Sequence, residues 1–538
     1  MIMTLYKNVN VYTGTGRAAE AFAVEDGRFV FVGSAAEADN LAADETVDLN
    51  GAFVCAGFND SHMHLLNYGQ ALFAAQLQDH THSLADMLDC MRQFAAEHPV
   101  SGNGWLRGRG WNHDYFTDVQ RMPDRHDLDS VSTDYPIVVV RCCGHCLAVN
   151  SKAIEVCGIS ADTQAPDGGS IGMENGEPDG RFYDEAMELV YSHIPAPGKE
   201  ELKEMIRLAS SNLSRFGVTS SQTDDYCVFR NVPWQTVNDA YRELIEEGAL
   251  TARVYEQANF TDLPSLREFV EAGNVTGAGD DMFKIGPLKM LGDGSLGART
   301  AFISRPYADD PSTCGFSLFS QQQFDELIGY ANAHNMQVAV HSIGDASMDM
   351  ILDAVEKALA ENPRADHRHG IVHCQITRAE QLKRLAEMHM HVYAQSIFLD
   401  YDNHIIEDRV GPELAATSYN WKTLMNMGVS VSNGTDCPVE LPDALAGMQC
   451  AVTRTTLRDN VGPYLPQEAF TVKEALDSYT IRGAEASFEE DVKGLIAPGY
   501  LADFVVLGQD PFAVSPSAIK DIPVLATYLG GRQVYSAE

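Results

Sequence analysis

Two histidines, His62 and His64, close the stretch "GFNDSHMHLL" at residues 57–66, one residue apart, just after a short apolar run. Side chains alternate across a strand, so both imidazoles face the same way. Paired imidazole nitrogens on one face are ligands for zinc or a similar divalent ion. Other apolar runs end in the same manner. "GPLKML" offers Lys289, "MQVAVHSIGD" offers His341, "GIVHCQ" offers His373 and "VSVSNGTDCPV" offers Asp436. Taken singly, each has a plainer reading. A histidine after a strand is often hydrogen-bonded and structural, and an aspartate in "GTD" can cap a turn or a helix. Four histidines, a lysine and an aspartate that all close apolar strands point instead to one metal site.

Such a site needs a frame that brings strand ends together. The run before His62 is followed by seven more strand-like segments: "VTSSQT", "ARVYEQANF", "FKIGPLKML", "MQVAVHS", "HGIVHCQ", "HVYAQSIF" and "VSVSNGTD". Helical segments such as "GKEELKEMIRLASSNLSRFG", "SQQQFDELIGYANAHN" and "SMDMILDAVEKALAENP" alternate with them. Strand–helix alternation implies a parallel sheet, and eight units imply a (β/α)8 TIM-like barrel with its chemistry at the C-terminal strand ends. About 150 residues separate His62 from "VTSSQT", where one unit takes about 30, so residues 75–185 read as an insertion after the first barrel strand. It contains the hairpin-like "GGSIGMENGEPDGRF". The first 57 residues and the tail both read as short strands with turns, and Asp26-Gly27 between two alternating runs is a hairpin signal. The expected organisation is a small β-sandwich domain from both termini (1–57 plus 489–538) and a barrel over 58–488.

The remaining bulk features narrow the class. A chain of 538 residues is long enough for a barrel with accessory parts, and a hydrophobic fraction of 45% is that of a globular enzyme. The formal charge of −38 argues against nucleic acid and anionic membrane as partners but does not identify a substrate; a small-molecule substrate is the expectation for the strand-end site. No apolar run is long enough for a membrane span, and the N-terminus lacks the pattern of a signal peptide. The 11 cysteines, odd in number and irregular in spacing, fit a reducing cytoplasm. Among oligomers, a homodimer is the default expectation.

The quoted strand ends, with "GHCLAVNSKA", "GGSIG", "GEPDGRFYDEAM", "KMLGDGSLGARTA", "HSIGDASMD" and "KGLIAPGYLADFVVL", resemble the amidohydrolase superfamily. More narrowly they resemble its "amidohydrolase 3" branch, over residues 50–510 or so. The resemblance implies a hydrolase of C–N bonds, an amide or N-formyl group, that uses one or two divalent ions, zinc foremost. It implies that His62, His64 and Asp436 hold the buried ion and that His341 and His373 hold a second. Lys289 would react with carbon dioxide to give a bridging carbamate, because a free ammonium has no lone pair to offer a cation. The alternative is a Lys289 ammonium paired with a carboxylate such as Asp293. Asp436 would exchange the proton between nucleophile and leaving amine. For the pocket, the resemblance points to His145 in "CCGHCLAVNS" and to Trp111 and His113 in "RGRGWNHDYF", and Asp293 is assigned with them to substrate contacts. Plain packing is the competing role for each.

Two other motifs are weaker. "GDGSLG" fits a dinucleotide fingerprint, but no amphipathic helix opens after its last glycine, and the segment breaks at Pro306. Its glycines are expected to let backbone pass close to the site. Cys143 and Cys146 lack a second ligand pair for structural zinc. A deaminase of a cyclic C=N compound with one metal ion is the rival enzyme reading. A regulatory metal-binding barrel is the rival outside enzymology.

Overall fold

The computed structural model of the chain describes residues 2–100, 104–141, 146–166, 169–229 and 231–537. Eight parallel strands form its central sheet: β1 (Phe58–Met63), β2 (Val218–Thr223), β3 (Arg253–Asn259), β4 (Phe283–Leu291), β5 (Val338–Ser342), β6 (Gly370–His373), β7 (His391–Ala394) and β8 (Ser430–Asn433). Each pairs with the next in chain order, from β1 to β8. This is the (β/α)8 barrel that the strand–helix alternation implies. β1, β2, β6 and β7 are buried at every position, as expected where helices cover one face and the barrel interior the other.

The helices carry their own start signals. Ser320 caps the helix Gln321–Ala333 in a reciprocal box with Gln323, and Thr471 with Glu474 does the same for Val472–Ser478. The helix Asp345–Glu361 buries Met348, Ile351, Leu352 and Val355 on one face, the 3.6-residue repeat visible in its sequence.

Both chain ends build one further sheet of eight strands. Its order is Arg532–Ser536, Val524–Leu529, Phe504–Leu507, Phe53–Ala56, Thr4–Tyr12, Ala18–Glu25, Arg28–Gly33, with Glu45–Asp48 pairing on Thr4–Tyr12. Asp26 (φ 50°) and Gly27 (φ 75°) turn the hairpin as the Asp-Gly pair requires. Aromatic rings fill the core of this sheet. Phe504 and Tyr528 stack with centroids 4.3 Å apart, and Tyr6 stacks on Phe22 at 4.8 Å.

The chain divides into two compact units, Met1–Asn67 with Ile206–Glu538, and Tyr68–Met205. The second unit has a six-stranded sheet of its own, ordered Gly169–Glu174, Glu177–Asp184, Cys146–Val149, Ile137–Arg141, Leu106–Trp111, Ala75–Gln76. Asn175 (φ 52°) and Gly176 (φ 84°) make the turn of its first hairpin. Leu77, Met87, Met91, Trp111 and Val139 form one of its cores. Among the described residues of the chain, no helix is long and apolar enough to cross a membrane.

Two ion pairs hold the segment that leads into the strand Phe504–Leu507 against the N-terminal ends of β3 and β4. Arg253, the first residue of β3, makes a two-pronged contact with Asp503 at 2.6 and 2.9 Å. Lys284 in β4 reaches Glu489 at 2.8 Å, and Lys493 reaches the other oxygen of Glu489 at 2.5 Å. Burial raises the pKa of the Glu489 carboxyl, but the two ammonium groups outweigh burial and hold it down at about 2. A carboxyl held below its unfolded value stabilises the fold above that value and loses this contribution as pH falls through the folded one. Glu489→Gln should therefore lower the unfolding free energy by about 3 kcal/mol at neutral pH. In denaturant titrations the gap from the parent protein should narrow as pH falls from about 4.5 towards about 2. A gap that stays constant over that range would deny the ion pair this role.

Candidate metal centre

The candidate ligands converge where β1 and β8 meet. His62 lies near the end of β1 and His64 follows that strand, and their ring centroids lie 5.1 Å apart. His373 ends β6, with its ring 5.7 Å from that of His62 and 4.5 Å from that of His341, on β5. Asp436 comes three residues after β8. Its Oδ1 lies 3.2 Å from His62 Nε2 and 2.9 Å from His64 Nε2. Ligand atoms of His62, His373 and Asp436 all fall within 4.8 Å of one another, and all three residues are buried. The group contains His373 and not His64, which the resemblance assigns to the buried ion. His64 also contacts Asp224 through Nδ1.

The local sequence explains how these side chains are held. Gly434 of "GTD" passes so close to β1 that a Cβ there would lie 2.5 Å from the His62 nitrogen. The Thr435 hydroxyl and backbone N–H both donate to Asp60 of β1, which also accepts from the His62 N–H at 3.2 Å. The Asp436 N–H donates to the His62 carbonyl at 2.9 Å. Within the tripeptide, Gly434 thus permits the close approach, Thr435 clamps and Asp436 offers the ligand. His373 (φ 74°) and Asp436 (φ 57°) both sit in the left-handed region, which costs about 1–3 kcal/mol for a residue other than glycine. The surroundings enforce this geometry. The Trp421 indole N–H donates to the His373 carbonyl at 3.1 Å, and the Cys374 N–H donates to the Ser342 carbonyl at 3.1 Å.

The donor set fits a divalent cation. Burial, reinforced by the Lys289 ammonium, depresses the pKa of His62. Burial, with His341 beside it, depresses that of His373 well below the usual imidazole range. Both rings are therefore neutral and able to offer a lone pair. Burial raises the pKa of Asp436, but the His62 and His64 rings set against it outweigh burial and keep the carboxylate ionised. Two neutral imidazoles and one carboxylate are a three-ligand set of the kind that holds catalytic zinc.

A family model described as "Amidohydrolase family" matches residues 45–535. The chain belongs to the amidohydrolase family. It is 33% identical over 525 residues to the putative amidohydrolase YtcJ of Bacillus subtilis (strain 168), covering 97% of this chain and 96% of that protein. It is 26% identical to the N-substituted formamide deformylase of Arthrobacter pascens, over 98% and 97% of the two chains. The crystal structure of an uncharacterized metal-dependent hydrolase from Pyrococcus horikoshii OT3 superposes with a TM-score of 0.79 at 26% identity, over 96% of this chain and 99% of that one.

The remaining residues of this amidohydrolase site fall into two groups. Lys289, fully buried near the end of β4, lies 3.3 Å from Asp224 Oδ2. Asp224, not Asp293, is thus its carboxylate partner. His64 contacts the other oxygen of Asp224, and although burial opposes the imidazolium, Asp224 and Asp436 together push the His64 pKa up to about 10. An imidazolium has no lone pair, so His64 joins a metal only by giving up that proton. Asp293 accepts backbone N–H groups of Phe302 at 2.9 Å, Ile343 at 3.0 Å and Gly344 at 2.7 Å, and lies 3.3 Å from His341 Nε2. It orients the β4 and β5 loops and, through them, His341. Gly292 beside it makes room for the His341 carbonyl, which would lie 2.5 Å from a Cβ at that position. Trp111 is fully buried in a core of the second unit, with His113 6.1 Å from it. His145 lies outside the described residues, as does Cys143.

Four positioning residues escaped the sequence reading: Asp60, Asp224, Gln257 and Gln395. Gln257 Oε1 lies 2.9 Å from His62 Nδ1, and Gln395 Oε1 lies 2.7 Å from His373 Nδ1. Their signal is the one used for the ligands, a polar residue within or just past an apolar strand. It passes unnoticed when only metal-binding residue types are searched.

The Asp60 clamp gives a test. Thr435→Val keeps the shape but removes one donor to a buried carboxylate, and should lower stability by about 1–3 kcal/mol. Because the clamp positions Asp436, zinc affinity in a chelator competition should fall as well, by about 10-fold or more. Unchanged zinc affinity in a destabilised variant would separate the clamp from the ligand.

Proposed function

We propose that the protein hydrolyses a C–N bond of a small molecule, an amide or an N-formyl group. The observation that carries this reading is the buried convergence of His62, His373 and Asp436. A divalent ion held there, zinc foremost, would polarise the scissile carbonyl and make water acidic near neutral pH. The deformylase among the relatives supports the N-formyl alternative within this class.

The chain's own groups supply the proton transfers. Asp436 directs Oδ1 at His62 and His64, which leaves Oδ2 for proton exchange. That oxygen takes the proton shed by the attacking water and returns it to the amine nitrogen as the C–N bond breaks. Lys289 enters as a carbamate in this reading. Its ammonium depresses the pKa of both His62 and His373, so an unmodified lysine would repel a cation placed between those rings. Loss of a proton from the ammonium, then addition of the amine nitrogen to carbon dioxide with loss of a second proton, exchanges that positive charge for a carboxylate. The new anion beside Asp224 then calls for a second cation, with His64 and His341 as further ligands. Carbamate and second ion therefore come together.

One observation favours a different reading. The 3.3 Å contact with Asp224 already neutralises Lys289 without carbon dioxide. A site kept in that state would hold one ion, the arrangement expected of the ring deaminase.

Elemental analysis separates the two. After expression with zinc and bicarbonate, the first reading expects about two ions per chain, and about one in Lys289→Ala unless a short carboxylate is supplied. One ion in the parent protein, together with turnover of cyclic C=N compounds, would overturn it. Asp436→Asn should keep the fold and bound metal while kcat for the best N-acyl or N-formyl substrate drops about 100- to 10,000-fold. Activity near the parental level would remove Asp436 from the proton transfers.

A further inference from the structure

Six of the eight barrel strands end in, or lead into, a charged or imidazole side chain of the site: His62 and His64 at the end of β1, Asp224 after β2, Lys289 in β4, His341 in β5, His373 in β6 and Asp436 after β8. β3 and β7 contribute none. Each contributes a glutamine instead, and each glutamine faces the Nδ1 of one histidine in the converging triad. Gln257 of β3 lies 2.9 Å from His62, and Gln395, immediately after β7, lies 2.7 Å from His373. Both carboxamides are buried, Gln257 at 0% and Gln395 at 1% exposure. A neutral imidazole holds one N–H and one lone pair, so whatever accepts at Nδ1 forces the lone pair to Nε2. At His62, Nε2 is the nitrogen that faces Asp436.

The two glutamines are not equally constrained. Gln257 also donates from Nε2 to the Ser61 carbonyl at 3.2 Å. That second bond fixes which end of the amide is oxygen, and therefore fixes His62 as an Nδ1–H donor. Gln395 has no such anchor among the described residues. Its Nε2 is buried and finds no partner among the described residues. Rotating its amide by half a turn would put N–H against His373 Nδ1 and leave the oxygen without a partner. Each orientation leaves one amide end unsatisfied among the described residues, so the amide has no preference of the kind that the Ser61 bond gives Gln257. In the rotated state the His373 proton moves to Nε2, and the ring can no longer bind a cation.

We propose that Gln257 and Gln395 are positioning residues that select the metal-binding tautomers of His62 and His373, Gln257 permanently and Gln395 reversibly. His62 is then a ligand preset by the fold. His373 becomes one only when the Gln395 amide presents oxygen. The inference rests on the reading that these two histidines hold the ion.

Glutamate variants separate tautomer control from packing. A carboxylate has the shape of the amide but can only accept. At Gln395 it locks His373 in the binding tautomer, whereas at Gln257 it loses the bond to the Ser61 carbonyl. Zinc affinity is read by competition with a chromophoric chelator. Gln395→Glu should bind zinc about 10-fold more tightly than the parent, and Gln395→Leu about 10- to 100-fold more weakly. Gln257→Glu should show no gain. The second readout is the 15N spectrum of histidine-labelled, metal-free protein, with His62 and His373 assigned by substitution. His62 should appear as a single Nδ1–H tautomer and His373 as an exchanging mixture, which Gln395→Glu collapses to Nδ1–H. Equal zinc affinity in Gln395→Glu and Gln395→Leu would overturn the proposal, as would an Nε2–H tautomer at both rings of the parent. Failure of the folded parent to take up zinc at all would strike the metal reading alone, because the tautomers are read without metal.

Discussion

The barrel closes at one seam, and the site is built on that seam. β1 and β8 are the first and last strands of the central sheet. They are joined just beyond their ends by backbone bonds from Asp436 to His62 at 2.9 Å and from His64 to Cys437 at 2.7 Å. The buried carboxylate of Asp60 clamps the same join by accepting from Thr435 on the opposing side. Closure thus depends on polar groups out of water, which hold only while each finds its partner. The residues that complete the barrel are also those that carry, or stand next to, the candidate ligands. The "GTD" and "DSHMH" segments therefore belong to folding as much as to chemistry: a change that loosens the seam moves His62 and Asp436 apart.

The site concentrates charge where burial opposes it. Lys289 and Asp224 are fully buried, and His64 joins them through Asp224. In the metal-free barrel the arrangement is an alternating chain of Lys289, Asp224, His64 and Asp436. Each charge is offset by its neighbours, because an unpaired one at that depth would cost several kcal/mol. An ion at His62, His373 and Asp436 would compete with this chain for the Asp436 oxygen and face the Lys289 ammonium, and one that recruited His64 as well would have to displace its proton. Metal binding through His64 is therefore coupled to proton release. The same network that keeps the metal-free barrel folded sets how readily it is loaded.

The fold was largely legible in the sequence. All eight barrel strands are apparent as apolar runs, and the polar residues closing them include the whole converging triad. The pairing of the triad was less legible. Sequence alternation puts His62 and His64 on one face, and this suggests that both serve one ion. Alternation does not show that His64 reaches Asp224, because Asp224 follows β2, more than 150 residues away in the chain. Lys289 shows the same limit. Asp293 is its near neighbour in sequence, but the strand order of a barrel brings up Asp224 instead, and the backbone of the β4 and β5 loops occupies Asp293. Local pattern names the residue types that end each strand. Contacts between strands decide which of them meet.

The glutamines show this limit in its sharpest form. A search for metal chemistry stops at His, Asp and Lys, yet an imidazole is a ligand only in one of its tautomers. The choice is made at the nitrogen facing away from the ion. In this barrel that nitrogen faces β3 and β7, which supply no candidate ligand. β3 and β7 are therefore not idle spacers in the ring: they hold the acceptors that make the histidines of β1 and β6 usable. A barrel in which six strands present reactive groups and two present their orienters has its second layer of control at the same depth as the first. Substitutions in that layer should change the affinity for metal before they change the fold.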